Sequence, residues 1–266
     1  MMERALIGAI AAALITALAR RLQILDESGQ WAALACGTVV AAAGWPWAMV
    51  LLAYFAAASA VTKMGAARKA ECTQRSVPQI SVRNAFQVAA NGGLFALLAF
   101  RAGGVPESAV GIAAAGALAA ASADTWATEL GTLWGGRPRS ILSWRPTGPG
   151  MSGGVTLVGT LGGVAGAVLV AAVVALVFGR PLTGKFVGAV IAGGFAGCVA
   201  DSLIGATMQA RRWCDHCKEW TERRVHPCSY RTVHAGGLRW VSNDVVNAAA
   251  TVIGAAAAVA ARRALG

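Results

Sequence analysis

The sequence Ala123-Asp124-Thr125-Trp126-Ala127-Thr128-Glu129 places an acidic residue inside a long apolar run, residues 108–133. Such a run is long enough for the roughly 20 residues that a helix needs to cross a bilayer. A second aspartate follows the same pattern at Ala200-Asp201-Ser202, inside residues 186–208. Because an ionised carboxylate is costly in hydrocarbon, each aspartate indicates a functional site within a membrane helix.

The composition extends this conclusion to the whole chain of 266 residues, of which 56% are hydrophobic and 13% are charged. Soluble domains carry about 25% charged residues. We therefore expect an all-α fold, a polytopic transmembrane bundle of six to eight helices in one integral membrane domain, residues 1–266. The apolar runs that predict these helices are residues 2–19, 31–43, 47–61, 85–100, 108–133, 153–178, 186–208 and 245–261.

Two of these runs have more than one interpretation. Only Gly44-Trp45-Pro46 separates the second run from the third, which leaves a tight hairpin, a re-entrant pair and one kinked helix as alternatives. For the first run we expect a retained helix and not a signal peptide, because no small-residue cleavage site leads into a soluble domain.

The basic residues predict the orientation, because Lys and Arg accumulate in loops that stay in the cytoplasm. With eight crossings, most of the 23 Lys and Arg residues fall in the connections on one side. We expect that side, and with it the active site, to face the cytoplasm, both termini to face away from it, and the membrane to be a prokaryotic cytoplasmic membrane. The net charge of +11 has two explanations. It follows either from this topology together with attraction to anionic lipid, or from the binding of a polyanionic ligand. Nucleic acid is not expected as a partner, because no recognition fold is visible.

The first polar insert, residues 63–84, is a basic loop that leads into the fourth apolar run. Lys63 and Arg83 lie at its two ends. Asn84, Gln87 and Asn91 follow at spacings of three and four, so they share one face of a helix and point into the bundle. They serve either as ligands or as interhelical hydrogen bonds.

A connection rich in glycine and arginine, residues 134–154, follows the first aspartate and leads directly into a helix. Glycines let backbone N–H groups approach a ligand, and the start of the next helix adds a positive dipole end, which together bind anions. Arginines can hold phosphate in a bidentate manner. The alternative is a flexible Gly/Pro turn. The candidate phosphate-binding residues are Arg137, Arg139, Arg145, Gly148, Gly150, Ser152, Gly153 and Gly154.

The acidic residues predict a site for Mg²⁺, which prefers hard oxygen ligands and is shared with substrate phosphates. Asp124 and Asp201 are joined by Asp244, which stands beside Asn243 and Asn247 at the start of the last run. Glu129 points about 140° away from Asp124 on a regular helix, so it reaches the loop or a basic partner instead. A proton relay or ion coupling in a transporter is the rival explanation for these carboxylates.

The second polar insert, residues 211–240, has the ligand types of a structural zinc site in Cys214, Cys217, His226 and Cys228. A structural disulfide is disfavoured if this loop faces a reducing cytoplasm. Redox chemistry, or no role, remains open for these residues.

Five strings of the chain resemble one family of integral membrane proteins, the family that includes transmembrane protein 19 and plant phytyl-phosphate kinase. They are Ala-Asp-Thr-Trp-Ala-Thr-Glu-Leu-Gly (residues 123–131), Pro-Arg-Ser-Ile (138–141), Gly-Gly-Val-Thr-Leu-Val-Gly-Thr-Leu-Gly-Gly (153–163), Asp-Ser-Leu-Ile-Gly-Ala-Thr-Met-Gln (201–209) and Asn-Asp-Val-Val-Asn (243–247). The resemblance covers nearly the whole chain, and the first string is specific.

The resemblance implies a kinase that phosphorylates a prenyl monophosphate, such as phytyl or geranylgeranyl phosphate, to its diphosphate. It also implies a distant kinship to CTP-dependent lipid kinases and cytidylyltransferases, so the donor is a nucleoside triphosphate. On this hypothesis the carboxylates hold Mg²⁺, Glu129 orients a ligand or a water, and the glycine-arginine connection binds the triphosphate. Lys63, Arg83, Asn84, Gln87 and Asn91 then bind the acceptor. A homodimer is a further expectation.

Overall fold

The computed structural model describes residues 2–78, 82–179 and 183–266. The predicted basic loop at residues 63–84 therefore includes a short stretch, residues 79–81, that lies outside the described residues. Within the described ranges the chain forms nine helices: α1 (Met2–Arg21), α2 (Glu27–Ala43), α3 (Trp45–Lys63), α4 (Ala66–Thr73), α5 (Ala85–Ala102), α6 (Ala109–Trp134), α7 (Leu157–Val177), α8 (Gly184–Thr207) and α9 (Asn243–Ala264).

The prediction of a polytopic helical bundle is confirmed. Six of the described helices, α3 and α5 to α9, are long and apolar enough to cross a membrane. Helix α2 has only 17 residues, and α1 carries charged residues at both ends. One kinked helix is the wrong interpretation of the second and third runs, because Gly44 leaves the helical path with φ 150° and ψ 147° and separates α2 from α3.

Helix α6 lies at the centre of the bundle, where it contacts α3, α5, α7, α8 and α9. Residues 114–121 of this helix are buried. Its neighbours approach closely through small residues, a feature typical of membrane helix packing. A Cβ on Gly166 of α7, for example, would lie 2.6 Å from the carbonyl oxygen of Ser122. Asp124 follows this tightly packed stretch, so the central helix carries the first candidate carboxylate.

Five short strands occur in the described part of the loops, which the all-α prediction did not include. Strands β1 (Arg139–Ser140) and β2 (Gly154–Val155) pair antiparallel across the glycine-arginine connection. The second polar insert, which we call the cysteine-rich insert (residues 211–240), forms an antiparallel sheet of order β4-β3-β5. Its strands are β3 (Arg211–Cys214), β4 (Glu219–Thr221) and β5 (Val233–Gly236).

The three polar connections meet at one end of the bundle. The backbone N–H of Glu222, in the cysteine-rich insert, donates to the carbonyl oxygen of Ser76 in the first insert at 2.7 Å. The Ser152 hydroxyl, in the glycine-arginine connection, donates to the carboxylate of Glu222 at 2.7 Å. The basic connections thus share one end, as the predicted topology requires. That this end faces the cytoplasm stays a prediction.

Candidate functional site

A cavity of about 480 Å³ opens among the helices next to these connections. Ligand sites in proteins are typically clefts of roughly 300–1,000 Å³. Helices α3, α5, α6, α8 and α9, the start of α7 and the glycine-arginine connection all contribute to its wall. Its charged and amide-bearing lining residues are Lys63, Arg83, Gln87, Asn91, Asp124, Glu129, Asp201, Asn243 and Asn247.

Asp124 and Asp201 meet in this cavity. Their carboxyl groups are close enough to interact directly, although they come from α6 and α8 and lie 77 positions apart in the chain. Both are half-buried and line the cavity. Two carboxyl groups in contact repel each other when both are ionised. Such a pair therefore either shares a proton or binds a cation. The pair is therefore suited to hold a divalent cation.

Asn247 orients this pair from α9. With its amide placed to satisfy its neighbours, its nitrogen donates to Oδ2 of Asp201 at 2.9 Å and to the carbonyl oxygen of Asn243 at 3.3 Å. Asn243 and Asn247 are four residues apart on α9, so both face the cavity. In this arrangement Asn247 positions a carboxylate, whereas the sequence predicted it as a metal ligand.

The structure does not place Asp244 in the cavity that Asp124 and Asp201 line, so its predicted part in the metal site stays a prediction. The described residues that line the cavity do not include Asp244. Each position along a helix turns the side chain by about 100°, so Asp244 points to the side of Asn243 and not into the cavity. An acidic residue in the first turn of a helix also interacts favourably with the helix dipole, which explains Asp244 without a metal.

Glu129 lines the cavity and has a basic partner, one of the two alternatives that the sequence left open. Its Oε2 lies 2.5 Å from Nζ of Lys69. Lys69 is buried and also donates to the carbonyl oxygens of Val61 (2.9 Å) and Thr62 (2.7 Å) at the end of α3. This lysine ties α3, α4 and α6 together at the cavity wall. Sequence analysis missed it, because nothing in the chain distinguishes it from the other basic residues of its loop.

The prediction that Arg137, Arg139 and Arg145 clamp a phosphate in the site is not supported by their positions. All three are exposed, and none belongs to the described part of the cavity lining. Arg139 donates to the carbonyl oxygen of Trp144 within its own turn at 2.8 Å. Lys63 and Arg83 are instead the basic residues that line the cavity, within the described residues.

The glycines of this connection have a packing role. Gly150 and Gly153 both have φ +79°, a conformation that favours glycine. A Cβ on Gly153 would lie 3.0 Å from the carbonyl oxygen of Ser202 in α8, so the loop backbone lies directly on that helix. Gly150, Gly153 and Gly154 line the cavity as predicted, whereas Gly148 packs against Ser76 and is absent from the described lining.

Helix α7 begins at the cavity wall. The Thr156 hydroxyl accepts from the backbone N–H of Gly159 at 2.9 Å, and Thr156, Gly159 and Thr160 all line the cavity. Backbone N–H groups at a helix start and the positive end of its dipole favour a bound anion. The helix start that the sequence placed after the glycine-arginine connection therefore lies at the cavity wall.

Ser152 contacts Glu222 and leaves little of its polar surface for a phosphate. Its backbone N–H and hydroxyl both donate to Oε1 of Glu222, at 2.9 and 2.7 Å, and the amide of Gln209 donates to Oε2 at 2.9 Å. Burial raises the pKa of Glu222 above its ordinary value, and these hydrogen bonds partly oppose the shift. Sequence analysis missed Glu222, because its partners lie 13 and 70 residues away.

The three polar residues predicted to share one face of α5 have two different roles: one caps the helix and two line the cavity. Asn84 caps the helix: its side chain accepts from the N–H of Gln87 at 3.0 Å, and the Gln87 side chain accepts from the N–H of Asn84 at 3.1 Å. Asn84 is outside the described lining, so its predicted contact with the acceptor is not supported. Gln87 and Asn91 do line the cavity, and a π-helical turn at Ala89–Gly93 surrounds Asn91. Such turns are frequent at functional sites.

The four predicted zinc ligands also come together. One ligand atom from each of Cys214, Cys217, His226 and Cys228 lies within 4.8 Å of the others, in the cysteine-rich insert. This cluster is separate from the carboxylate cavity, since none of its members belongs to the described lining.

The chain is similar to proteins of archaea, plants and cyanobacteria. It is 31% identical over 172 residues to an uncharacterized membrane protein of Methanocaldococcus jannaschii, covering 63% of this chain and 67% of that one. It is 28% identical over 236 residues to Protein PGR of Arabidopsis thaliana (79% and 81%), and 29% identical over 252 residues to an uncharacterized membrane protein of Synechocystis (89% and 82%).

No solved structure shows significant similarity to the chain. The family model described as integral membrane protein DUF92 matches residues 10–255, which include every described residue that lines the cavity. The chain therefore belongs to the DUF92 family of integral membrane proteins.

Proposed function

We propose that this protein is a Mg²⁺-dependent membrane kinase, which transfers the γ-phosphoryl group of a nucleoside triphosphate to a prenyl monophosphate. The observation that carries the proposal is the contact between Asp124 and Asp201 in a cavity that also contains two basic side chains and a helix start. Carboxylates for the metal and positive groups for phosphate are the two requirements of phosphoryl transfer.

The carboxylate pair is the metal site. Asp124 and Asp201 would hold Mg²⁺, which neutralises charge on the phosphates that it shares with the protein. Asn247 keeps Asp201 in place through its 2.9 Å hydrogen bond. Outer partners of this kind orient metal ligands and strengthen binding.

Phosphate groups bind on the other walls of the cavity. Lys63, Arg83 and the start of α7 all line it and offer positive charge or N–H donors. The acceptor oxygen of a prenyl phosphate is already an anion, so no strong general base is required. Alignment of the two phosphates and stabilisation of spread charge are then sufficient for catalysis.

The apolar part of the wall suits the prenyl tail. Ile24, Phe195 and Val199 line the same cavity as the charged residues. A tail that lies along these side chains between the helices would leave its phosphate at Lys63 and Arg83. Phytyl and geranylgeranyl phosphate have this form, and CTP is a candidate donor. The basic end of the bundle would face the cytoplasm, where nucleotides are found.

An ion-coupled transporter is the second candidate, and the depth of the carboxylates favours it. Asp124 lies ten residues before the end of α6, which corresponds to about 15 Å along the helix axis. Transport sites also lie near the middle of the bilayer. A transporter would move an ion or solute across proteoliposomes without consuming nucleotide, whereas the kinase would consume nucleotide without a gradient.

Purified protein in detergent provides the test. With Mg²⁺, a labelled nucleoside triphosphate and prenyl phosphates of several lengths, we expect the label to appear in prenyl diphosphate. Asp124→Asn and Asp201→Asn should lower the rate by about 100–1,000-fold, the range for loss of a central electrostatic group. Asp244→Asn is the matched control and should retain most activity. Absence of product with all four common triphosphates would contradict the proposal.

A further inference from the structure

The cysteine-rich insert contains two tight turns, each of which presents two metal-ligating side chains. In the first, Cys214 and Cys217 flank the turn between β3 and β4, and the N–H of Lys218 donates to the carbonyl oxygen of Cys214 at 2.8 Å. In the second, His226 and Cys228 flank a turn in which the N–H of Ser229 donates to the carbonyl oxygen of His226 at 2.8 Å. Each turn is thus closed by a backbone hydrogen bond, which spans four residues in the first turn and three in the second.

Both turns also contain the same unusual backbone conformation. Lys218 and Ser229 have φ +57° and +69°, and each directly follows the second ligand of its turn. Residues other than glycine are uncommon in this conformation and persist where the surrounding structure demands it. The pattern suggests that each turn is shaped to aim its two side chains at a common point.

The distances between the ligand atoms suit a metal. The Sγ atoms of Cys214 and Cys228 are 3.6 Å apart, and Nδ1 of His226 is 3.0 Å from Sγ of Cys228. Two thiolates on a tetrahedral zinc with Zn–S bonds of about 2.3 Å are separated by about 3.8 Å. Cys214 and His226 are buried, at 0% and 2% exposed, so the centre is closed on the protein side. A closed set of four protein ligands is characteristic of structural zinc.

A carboxylate lies near the ring nitrogen of His226 that does not face the cysteines. This ring nitrogen, Nε2, lies 3.6 Å from Oε2 of Glu219, whose Oε1 accepts from Arg75 at 3.0 Å. Metal-bound histidines commonly face a carboxylate in this way, which fixes the ring and makes it a better ligand. The chain thus places a carboxylate near the outer nitrogen of this ligand, at a distance longer than a hydrogen bond.

We propose that the insert binds one zinc ion through Cys214, Cys217, His226 and Cys228, and that this ion holds Glu222 against the wall of the carboxylate cavity. Glu222 lies between the two ligand pairs in the sequence, five residues after Cys217 and four before His226. Because Cys217 and His226 are both ligands, the zinc fixes the two ends of the segment between them.

The contacts of Glu222 link this segment to the cavity. Its carboxylate receives hydrogen bonds from Ser152 and Gln209, and its N–H bonds to Ser76. Gly153, next to Ser152, packs on the carbonyl oxygen of Ser202, the neighbour of Asp201. Loss of the zinc would free the segment and its Glu222, and would loosen the glycine-arginine connection that packs beside Asp201. The proposal concerns the insert and holds whichever reaction the cavity performs.

Metal analysis of the purified full-length protein tests the first part. We expect one zinc per chain, and after its removal by a strong chelator we expect Co²⁺ to bind with the absorption bands of tetrahedral thiolate coordination. Cys228→Ser and His226→Gln should lower the zinc content at least tenfold. Cys72→Ser, which changes an exposed cysteine of α4, is the matched control and should leave it unchanged. Zinc-free protein, or a disulfide among these cysteines in protein kept under reducing conditions, would overturn the assignment.

Hydrogen exchange tests the second part without any variant. Chelation should increase amide exchange at least tenfold in residues 218–226 and at Ser152, and leave the exchange in α7 unchanged. Unchanged protection of Glu222 and Ser152 after the metal is removed would overturn the role of zinc in holding Glu222.

Discussion

Nζ of Lys69 and Oε2 of Glu129 lie 2.5 Å apart at the cavity wall, with side chains only 8% and 21% exposed. This pair joins the short helix α4 to the central helix α6. Breaking a buried ion pair leaves an uncompensated charge, which destabilises proteins by about 3–5 kcal/mol. We expect a loss in this range for Lys69→Met, measured by thermal unfolding in detergent.

The double variant Lys69→Met/Glu129→Gln separates the interaction energy of the ion pair from the other effects of the two substitutions. Removal of both charges should recover part of the stability, so the two single effects should sum to at least about 1 kcal/mol more than the effect of the double variant. Glu27→Gln breaks the exposed pair with Arg20 and is the control, with an expected change below about 1 kcal/mol. Strict additivity at Lys69 and Glu129 would contradict the pair's role.

Asn247 is expected to affect metal binding without being a ligand. Outer partners of metal ligands typically change metal affinity by about 10–100-fold. Asn247→Ala removes the hydrogen bond to Asp201 and should raise the Mg²⁺ concentration for half-maximal activity by this factor, with little change in the maximal rate. Asn247→Asp should also weaken binding, because a carboxylate cannot donate to Asp201. An unchanged Mg²⁺ dependence in both variants would refute this role.

The basic residues of the cavity and those of the exposed loop should differ in their effects. Lys63→Gln and Arg83→Gln each remove a charged donor, and hydrogen bonds to charged groups are worth about 1.5–3 kcal/mol. We therefore expect kcat/KM for prenyl phosphate to fall by about 10–100-fold in steady-state assays. Arg139→Gln and Arg145→Gln change exposed side chains outside the described lining. These substitutions should change kcat/KM less than about threefold. The reverse order would restore the arginine clamp that the sequence predicted.

Glu222 should make the stability of the protein depend on pH. Burial raises its pKa above the ordinary 4.5, so the folded state binds a proton more tightly than the unfolded chain. The stability from this proton is fully present below pH 4.5 and is lost as pH rises through the folded pKa. Glu222→Gln keeps the shape and removes the titration. The melting temperature of the wild type should fall relative to this variant as pH rises from 4.5 to 7, and parallel curves would contradict the assignment.

The sequence predicts the helices and the two central carboxylates because each depends on a local signal. Long apolar runs identify α5 to α9, and an aspartate within such a run is costly unless it has a function. Asp124 and Asp201 satisfy this condition. Asp244 differs from them: it lies at the end of its run and outside the described cavity lining, where the start of a helix stabilises a carboxylate by itself.

The rest of the site depends on contacts that the sequence does not encode locally. Lys69 reaches Glu129 across 60 residues, and Glu222 reaches Ser152 across 70. The loop arginines have the composition of a phosphate site, but they are exposed and lie outside the described lining of the cavity. Periodicity gives the faces of α5 and α9, yet Asn84 has a capping role because it lies one residue before its helix starts.

The central claim is that Asp124 and Asp201 form one divalent cation site, and Mn²⁺ binding followed by electron paramagnetic resonance tests it most directly. In the presence of nucleotide, the wild type and Asp244→Asn should bind Mn²⁺ with the same affinity, and Mg²⁺ should displace it. Asp124→Asn and Asp201→Asn should each lower that affinity at least about a hundredfold, by analogy with loss of charged contacts worth about 3 kcal/mol. Unchanged Mn²⁺ binding in the Asp124→Asn/Asp201→Asn double variant would contradict the claim.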